Sequence, residues 1–272
     1  MPLAEADIDF LRGIVADGSG HVISRDQGYL FETRLQSLAQ REGHETVDQL
    51  VSDLRQQGRK RIGEEVAEAM TINETFFFRD MHPFEALKQT ILPTLIEARK
   101  QRKLTIWCAA CSTGQEPYSI AIMAREHFPE LRSWDVKIVA TDLSDGVLQK
   151  ARTGKYTQFE VNRGLPAQLL VKHFVREGTE WKVNDDIRRL VEFRKLNLTA
   201  AWPALPCFDV VFLRNVLIYF SVPTKEQILS RLHRSMADDA YLMLGGGETL
   251  INLKTPFQRE TYGSAVCYRP LK

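Results

Sequence analysis

The polar residues in this chain that could do chemistry are concentrated at the ends of apolar runs. Ser112-Thr113-Gly114-Gln115-Glu116-Pro117 follows LTIWCAAC, and Thr141-Asp142 closes VKIVATD, 28 residues after Gly114. Asn197 follows VEFRKL, and Arg214-Asn215 follows FDVVFL. Open α/β sheets bind ligands just beyond the carboxyl ends of their strands, so these are the positions where polar side chains matter. The turn at Gly114 either lets backbone approach a ligand closely or is a plain strand-to-helix turn with Pro117 in the first helical turn. It lacks the full G-x-G-x-x-G pattern, which weakens the case for a pyrophosphate-bearing cofactor. Asp142 stands where a ribose diol usually finds its acceptor; it could also cap a helix, a role open to Ser144. A buried Arg214 needs a partner, either a ligand or a structural ion pair.

Two further clusters invite a reading. Asn73-Glu74-Thr75-Phe76-Phe77-Phe78-Arg79-Asp80 sets three phenylalanines among polar residues, which suits a lid that excludes water or an interdomain core. Cys108 and Cys111 spell C-x-x-C inside an apolar strand, where positions three apart face opposite sides. With no second ligand pair this is a weak zinc signal, and no metal is expected.

The elements that would position these residues come in two rhythms. Up to about residue 75 the apolar spacing is helical, in four stripes: Ile8/Leu11/Ile14/Val15, Phe31/Leu35/Leu38, Val47/Leu50/Val51/Leu54 and Ile62/Val66/Ala69/Met70. Thr46 is placed to cap the third of these helices. Beyond a connecting helix that begins near Pro83, strands alternate with helices: 104–111, a helix over 115–127, 136–143, a helix around 147–152, 189–198, 208–215, a helix over 225–236, and 240–246. Near-continuous apolar strands predict a parallel sheet covered on both faces, a doubly wound α/β domain. Phe257 to Tyr268 adds antiparallel edge strands, and strand–turn–strand patterning predicts a small β insertion at about 171–192. The expected domains are therefore 1–75, all-helical, and 76–272, α/β.

Composition fits this. Hydrophobic residues make up 44% and charged residues 26%, which argues against wholesale disorder. No window approaches the roughly 18 apolar residues of a membrane span, and the first residues lack a secretory signal, so a cytoplasmic protein is expected. Residues 1–75 carry 8 Lys/Arg against 14 Asp/Glu, a net of −6, and the remainder 28 against 21, a net of +7. No basic stretch is interleaved with aromatics, so nucleic acid is not an expected partner.

The runs INETFFFRD (72–80), WCAACSTGQEPYSIA (107–121), IVATDLSDGVLQKARTGKY (138–156), VEFRKLNL (191–198) and FDVVFLRNVLIYF (208–220) together resemble the chemotaxis receptor methyltransferases, the CheR family. The resemblance covers nearly the whole chain, and N-E-T-x-F-F-R with R-N-V-L-I-Y-F is specific. It implies a Rossmann-like S-adenosylmethionine methyltransferase domain behind a receptor-docking helical domain. It also implies O-methylation of receptor glutamates to methyl esters. By matching motif positions, the implied cofactor contacts are Asn73, Thr75, Arg79, Glu116, Asp142, Asn197, Leu198, Arg214 and Asn215. Arg79 and Tyr219 are the implied catalytic residues, Tyr219 beside the transferred methyl. Gly245-Gly246-Gly247-Glu248 receives no role.

The implied partners are the cytoplasmic methylation helices of chemoreceptors, with no direct membrane insertion and the enzyme acting as a monomer. Those helices are acidic, so a cationic stripe is wanted despite the domain's net charge. Arg34 and Arg41, two turns apart beside the Phe31/Leu35/Leu38 face, are the expected docking residues, with Arg59, Lys60 and Arg61 next. The turn at 176–180 is short, which in this family goes with independence from the receptor's C-terminal pentapeptide. Two rival readings are a small-molecule carboxyl methyltransferase on the same fold and a non-catalytic adaptor that binds S-adenosylmethionine.

Overall fold

The computed structural model describes residues 3–57 and 60–271 and divides the chain into two compact units. The first holds four helices: α1 (Glu5–Ser19), α2 (Tyr29–Arg41), α3 (Val47–Gln57) and α4 (Lys60–Ala69). The apolar stripes become one core in which Leu11, Val15, Phe31, Leu35, Leu50, Ile62 and Val66 are fully or almost fully buried. Thr46 caps α3: its Oγ1 accepts the Gln49 N–H at 3.4 Å while Gln49 Oε1 accepts the Thr46 N–H at 3.4 Å. α1 ends on Gly20 in the left-handed region, at φ 75°.

The unit boundary differs from a simple cut at residue 75. The helical unit runs through Ile72 and also takes in Leu198–Ala200 and Ile218–Lys225 from much later in the chain. His21 forms an antiparallel bridge with Phe220, and the Val22 N–H donates to Tyr219 O at 2.9 Å. Asn73, Glu74 and Thr75 belong to the α/β unit, where Ser112 Oγ donates to Asn73 O at 2.8 Å.

In the α/β unit, α5 (His82–Ala86), a π-helical turn over Leu87–Ile91 and α6 (Leu92–Ala98) precede the alternating elements. These are β1 (Lys103–Ala109), α7 (Gln115–His127), β2 (Asp135–Asp142), α8 (Asp145–Thr153), β3 (Lys155–Thr157), α9 (Gln158–Asn162) and α10 (Ala167–His173). Then come β4 (Phe174–Glu177), β5 (Glu180–Val183), α11 (Asp185–Arg188), β6 (Val191–Lys195), β7 (Phe208–Leu213), α12 (Val222–Arg234), β8 (Met236–Leu244), β9 (Phe257–Tyr262) and β10 (Ala265–Pro270).

The main sheet has the order β6-β2-β1-β7-β8-β10-β9. Its first five strands are parallel, and β10 pairs antiparallel with both β8 and β9. Every residue of β7 and all but the first of β1 are buried, as a sheet covered on both faces requires. From β1 the chain winds outward to β2 and β6 on one side and to β7 and β8 on the other. The carboxyl ends of β1 and β7 therefore flank the switch point of the sheet.

The β insertion is larger than its patterning suggests. The hairpin β4–β5 turns at Gly178 with φ 62°, and β3 joins it to make a three-stranded antiparallel sheet, β3-β5-β4. A three-residue strand is too short for alternation to show, so β3 left no signal. The expected end of the insertion, residue 192, overruns into β6, which belongs to the main sheet. Among the described residues no helix is long and apolar enough to cross a membrane.

Candidate active site

The site is built from the carboxyl ends of β1, β2, β6, β7 and β8 and from the 73–80 segment. After β1 the backbone coils tightly, with Ala110 at φ 57°, Ser112 at φ 50° and Gly114 at φ 92°. Gly114 is required here by its left-handed conformation and by the protein's own packing. A Cβ there would meet Ala151 Cβ at 3.0 Å and the Tyr156 hydroxyl at 3.2 Å. The protein's own packing is thus sufficient to require glycine at this turn.

Asp142, at the end of β2, holds that coil in place. One carboxylate oxygen accepts the Ser112 N–H at 2.8 Å, and the other accepts the Ser144 N–H at 3.1 Å. The second bond is an Asx turn, so Asp142 shapes the strand end rather than capping α8. Its backbone carbonyl accepts the Leu196 N–H at 2.9 Å, which places half-buried Asn197 next to the end of β2.

Arg214, just past β7, lies in a buried network. Its side chain is 1% exposed; Nη1 donates to Glu116 Oε2 at 2.8 Å, and Nη2 donates to Asp80 Oδ2 at 2.9 Å and to Arg79 O at 2.8 Å. Burial pushes the Glu116 carboxyl above its ordinary pKa, and the charge of Arg214 is the strongest pull the other way. Glu116 and Arg214 thus partner each other and tie the start of α7 and the end of β7 to the backbone of the 73–80 segment. The nearby Cys108 and Cys111 thiols are free and buried, and burial raises the pKa of both well above the ordinary thiol value.

The three phenylalanines divide between two roles. Phe77 and Phe78 are core residues of the α/β unit, Phe77 packing edge-on against Tyr156 at 5.0 Å and Phe174 at 5.6 Å. They fix the segment and cannot act as a lid. Only Phe76 is left at the rim, between the guanidinium groups of Arg163 at 4.4 Å and Arg79 at 5.6 Å. Arg79 is half-buried and donates to Glu74 O at 2.7 Å. Asn73 is exposed and Thr75 half-buried on the same segment.

Asn215 adopts φ 57°. The bend it makes is clasped by Glu248, a residue that composition and spacing left without a role. The Glu248 carboxylate accepts four backbone N–H groups: Asn215 at 2.7 Å, Val216 at 3.0 Å, Leu217 at 2.7 Å and Gly245 at 2.8 Å. An acidic residue in a glycine-rich turn just past a parallel strand was the only signal of it in the sequence.

Residues 73–265 match the family model described as CheR methyltransferase, SAM binding domain. The chain belongs to the CheR methyltransferase family. It is 41% identical over 274 residues to chemotaxis protein methyltransferase 1 of Pseudomonas aeruginosa, with 99% of each chain covered. It is 38% identical to chemotaxis protein methyltransferase Cher2 of Pseudomonas putida, again with 99% of each covered. A chemotaxis protein methyltransferase of Vibrio parahaemolyticus is 35% identical over 92% of this chain and 91% of its own.

As a CheR methyltransferase it uses S-adenosylmethionine, and the residues present fit that molecule. A buried carboxylate at the end of β2 can accept from a ribose diol, and an ionised carboxylate accepts from several donors at once. Arg79, half-buried on the 73–80 segment, is a cation of the kind that pairs with a carboxylate. The structure brings Asn73, Arg79, Glu116, Asp142, Asn197, Arg214 and Asn215 to the strand ends and the 73–80 segment of one unit.

Leu198 and Tyr219 belong to the helical unit, where Leu198 is buried and the Tyr219 ring packs 5.0 Å from that of His21. In the same unit, Arg34 Nη1 donates to Met70 O at 3.0 Å and Thr71 O at 3.2 Å, which closes off the end of α4. Arg41 is 61% exposed and pairs with Glu65, as does Arg61. Arg59 lies outside the described residues.

Proposed function

We propose that this enzyme transfers the methyl group of S-adenosylmethionine to glutamate side chains of chemoreceptors, giving methyl esters. The observation that carries the reading is the extent of the likeness. It runs over the helical unit as well as the catalytic one, to relatives named chemotaxis protein methyltransferases. A small-molecule methyltransferase has no need of that helical unit.

When bound, S-adenosylmethionine supplies an electrophilic sulfonium methyl. A glutamate side chain, with a pKa of about 4.3, is already an anion at neutral pH and needs no general base. The work of the protein is then to hold the two reactants in line and exclude water. In this reading Arg79 holds the methionine carboxylate, Asp142 the ribose hydroxyls, and Asn73, Thr75, Asn197, Leu198 and Asn215 complete the cofactor contacts. Glu116 and Arg214 lock the 73–80 segment against β1 and β7, and Tyr219 orients the reacting groups. Arg41, with its head exposed, is the better docking candidate of the two arginines on α2, because Arg34 is occupied by backbone carbonyls.

Incubating the protein with labelled S-adenosylmethionine and either receptor-containing membranes or small carboxylic acids tests the assignment. Label on receptor glutamates, mapped by mass spectrometry, is the expected result. Label confined to small acids, or none on either, overturns it.

A further inference from the structure

We infer that Glu248 is a positioning residue for cofactor binding, acting through the bend at Asn215; the inference rests on reading Asn215 as a cofactor contact. Three successive amides, those of Asn215, Val216 and Leu217, point at one carboxylate, and Gly245 adds a fourth. Converging backbone N–H groups of this kind form an anion-binding nest, and here the anion is the chain's own side chain.

The anion fixes the bend. Asn215 sits in the left-handed region, which asparagine enters more readily than most residues, and the carboxylate then holds its N–H and the two that follow in one direction. Gly245 is fitted to the same clasp. A Cβ there would lie 2.6 Å from Asn215 Nδ2, 2.8 Å from Glu248 Oε2 and 2.9 Å from Asn215 N. One carboxylate thereby joins the loops after β7 and β8, and sets the direction of the Asn215 side chain at the sheet's ligand-binding edge.

Glutamine is the informative replacement. It keeps the shape but turns one acceptor into an NH2 group facing amide donors. The test titrates the full-length protein with S-adenosylhomocysteine by calorimetry, as wild type, Asn215→Ala, Glu248→Gln and the double variant, each shown to be folded by circular dichroism. Each single change is expected to weaken binding roughly tenfold, the scale of one lost charge-assisted hydrogen bond. The double variant is expected to lose little beyond the worse single one, because both changes remove the same interaction. In methyl-transfer assays KM for S-adenosylmethionine should rise while kcat changes less.

Wild-type affinity in Glu248→Gln, losses that multiply in the double variant, or a fall in kcat at unchanged KM would each overturn the inference. Unchanged affinity in Asn215→Ala alone removes Asn215 from the cofactor site, a different failure that also ends the inference. If Glu248→Gln does not fold, Gly245→Ala disturbs the same clasp and is expected to give the same pattern. The titration needs no methyl acceptor, so it decides the matter even if receptors prove not to be the substrate.

Discussion

Arg214 is fully desolvated and its guanidinium is shared by two carboxylates and a carbonyl. Replacing it with methionine would leave Glu116 and Asp80 facing each other without their cation. Breaking a buried pair from one side costs about 3–5 kcal/mol, and Arg214→Met should show that loss in urea denaturation. Asp142 differs, because its carboxylate accepts only two backbone amides and, in the proposed function, also holds the ribose hydroxyls. Asp142→Ala should weaken S-adenosylmethionine binding by about 1–3 kcal/mol in titration calorimetry. Unchanged affinity in a folded variant would take Asp142 out of the site. The sequence marked both residues as important because each breaks an apolar run. It could not say which was bound to protein, because the partners of Arg214 lie 98 and 134 residues away in the chain.

At the level of elements, the 73–80 segment is held by the β insertion. Gly164, at φ 88°, sits so close to Phe77 that a Cβ would fall 2.0 Å from its carbonyl oxygen. Gly164→Ala should therefore destabilise the protein by about 2–4 kcal/mol, read as a lowered urea midpoint. The bridge between His21 and Phe220 gives a pH-dependent test. Burial lowers the His21 pKa from 6.5 to about 4, so the unfolded chain takes up the proton first. Stability from this group is present at neutral pH and is lost as pH falls from 6.5 toward 4, by about 2 kcal/mol between pH 7 and pH 5. His21→Phe keeps a ring beside Tyr219 and should flatten that part of the stability–pH curve; an unchanged slope would refute the assignment to His21. Long periodic elements such as α7, β1 and β7 were legible in the sequence because burial on one or both faces writes itself into residue spacing. The roles of β3 and of the segments at 198–200 and 218–225 were not, since they depend on pairing with distant residues.

At the scale of the whole molecule, the small sheet β3-β5-β4 leaves β4 at an edge, with its Val175 57% exposed. The turn between β4 and β5 is only Gly178-Thr179, and we expect no micromolar binding of a receptor C-terminal pentapeptide by fluorescence anisotropy. Saturable micromolar binding would reverse that expectation. The make-up of the helical unit also bears on how the protein is made. A ribosome releases the four helices first, yet Phe220, the bridge partner of His21, and the residues around Leu198 and Tyr219 emerge only after some 120 to 150 further residues have been synthesised. The earliest part of the chain to appear is thus among the last to be finished.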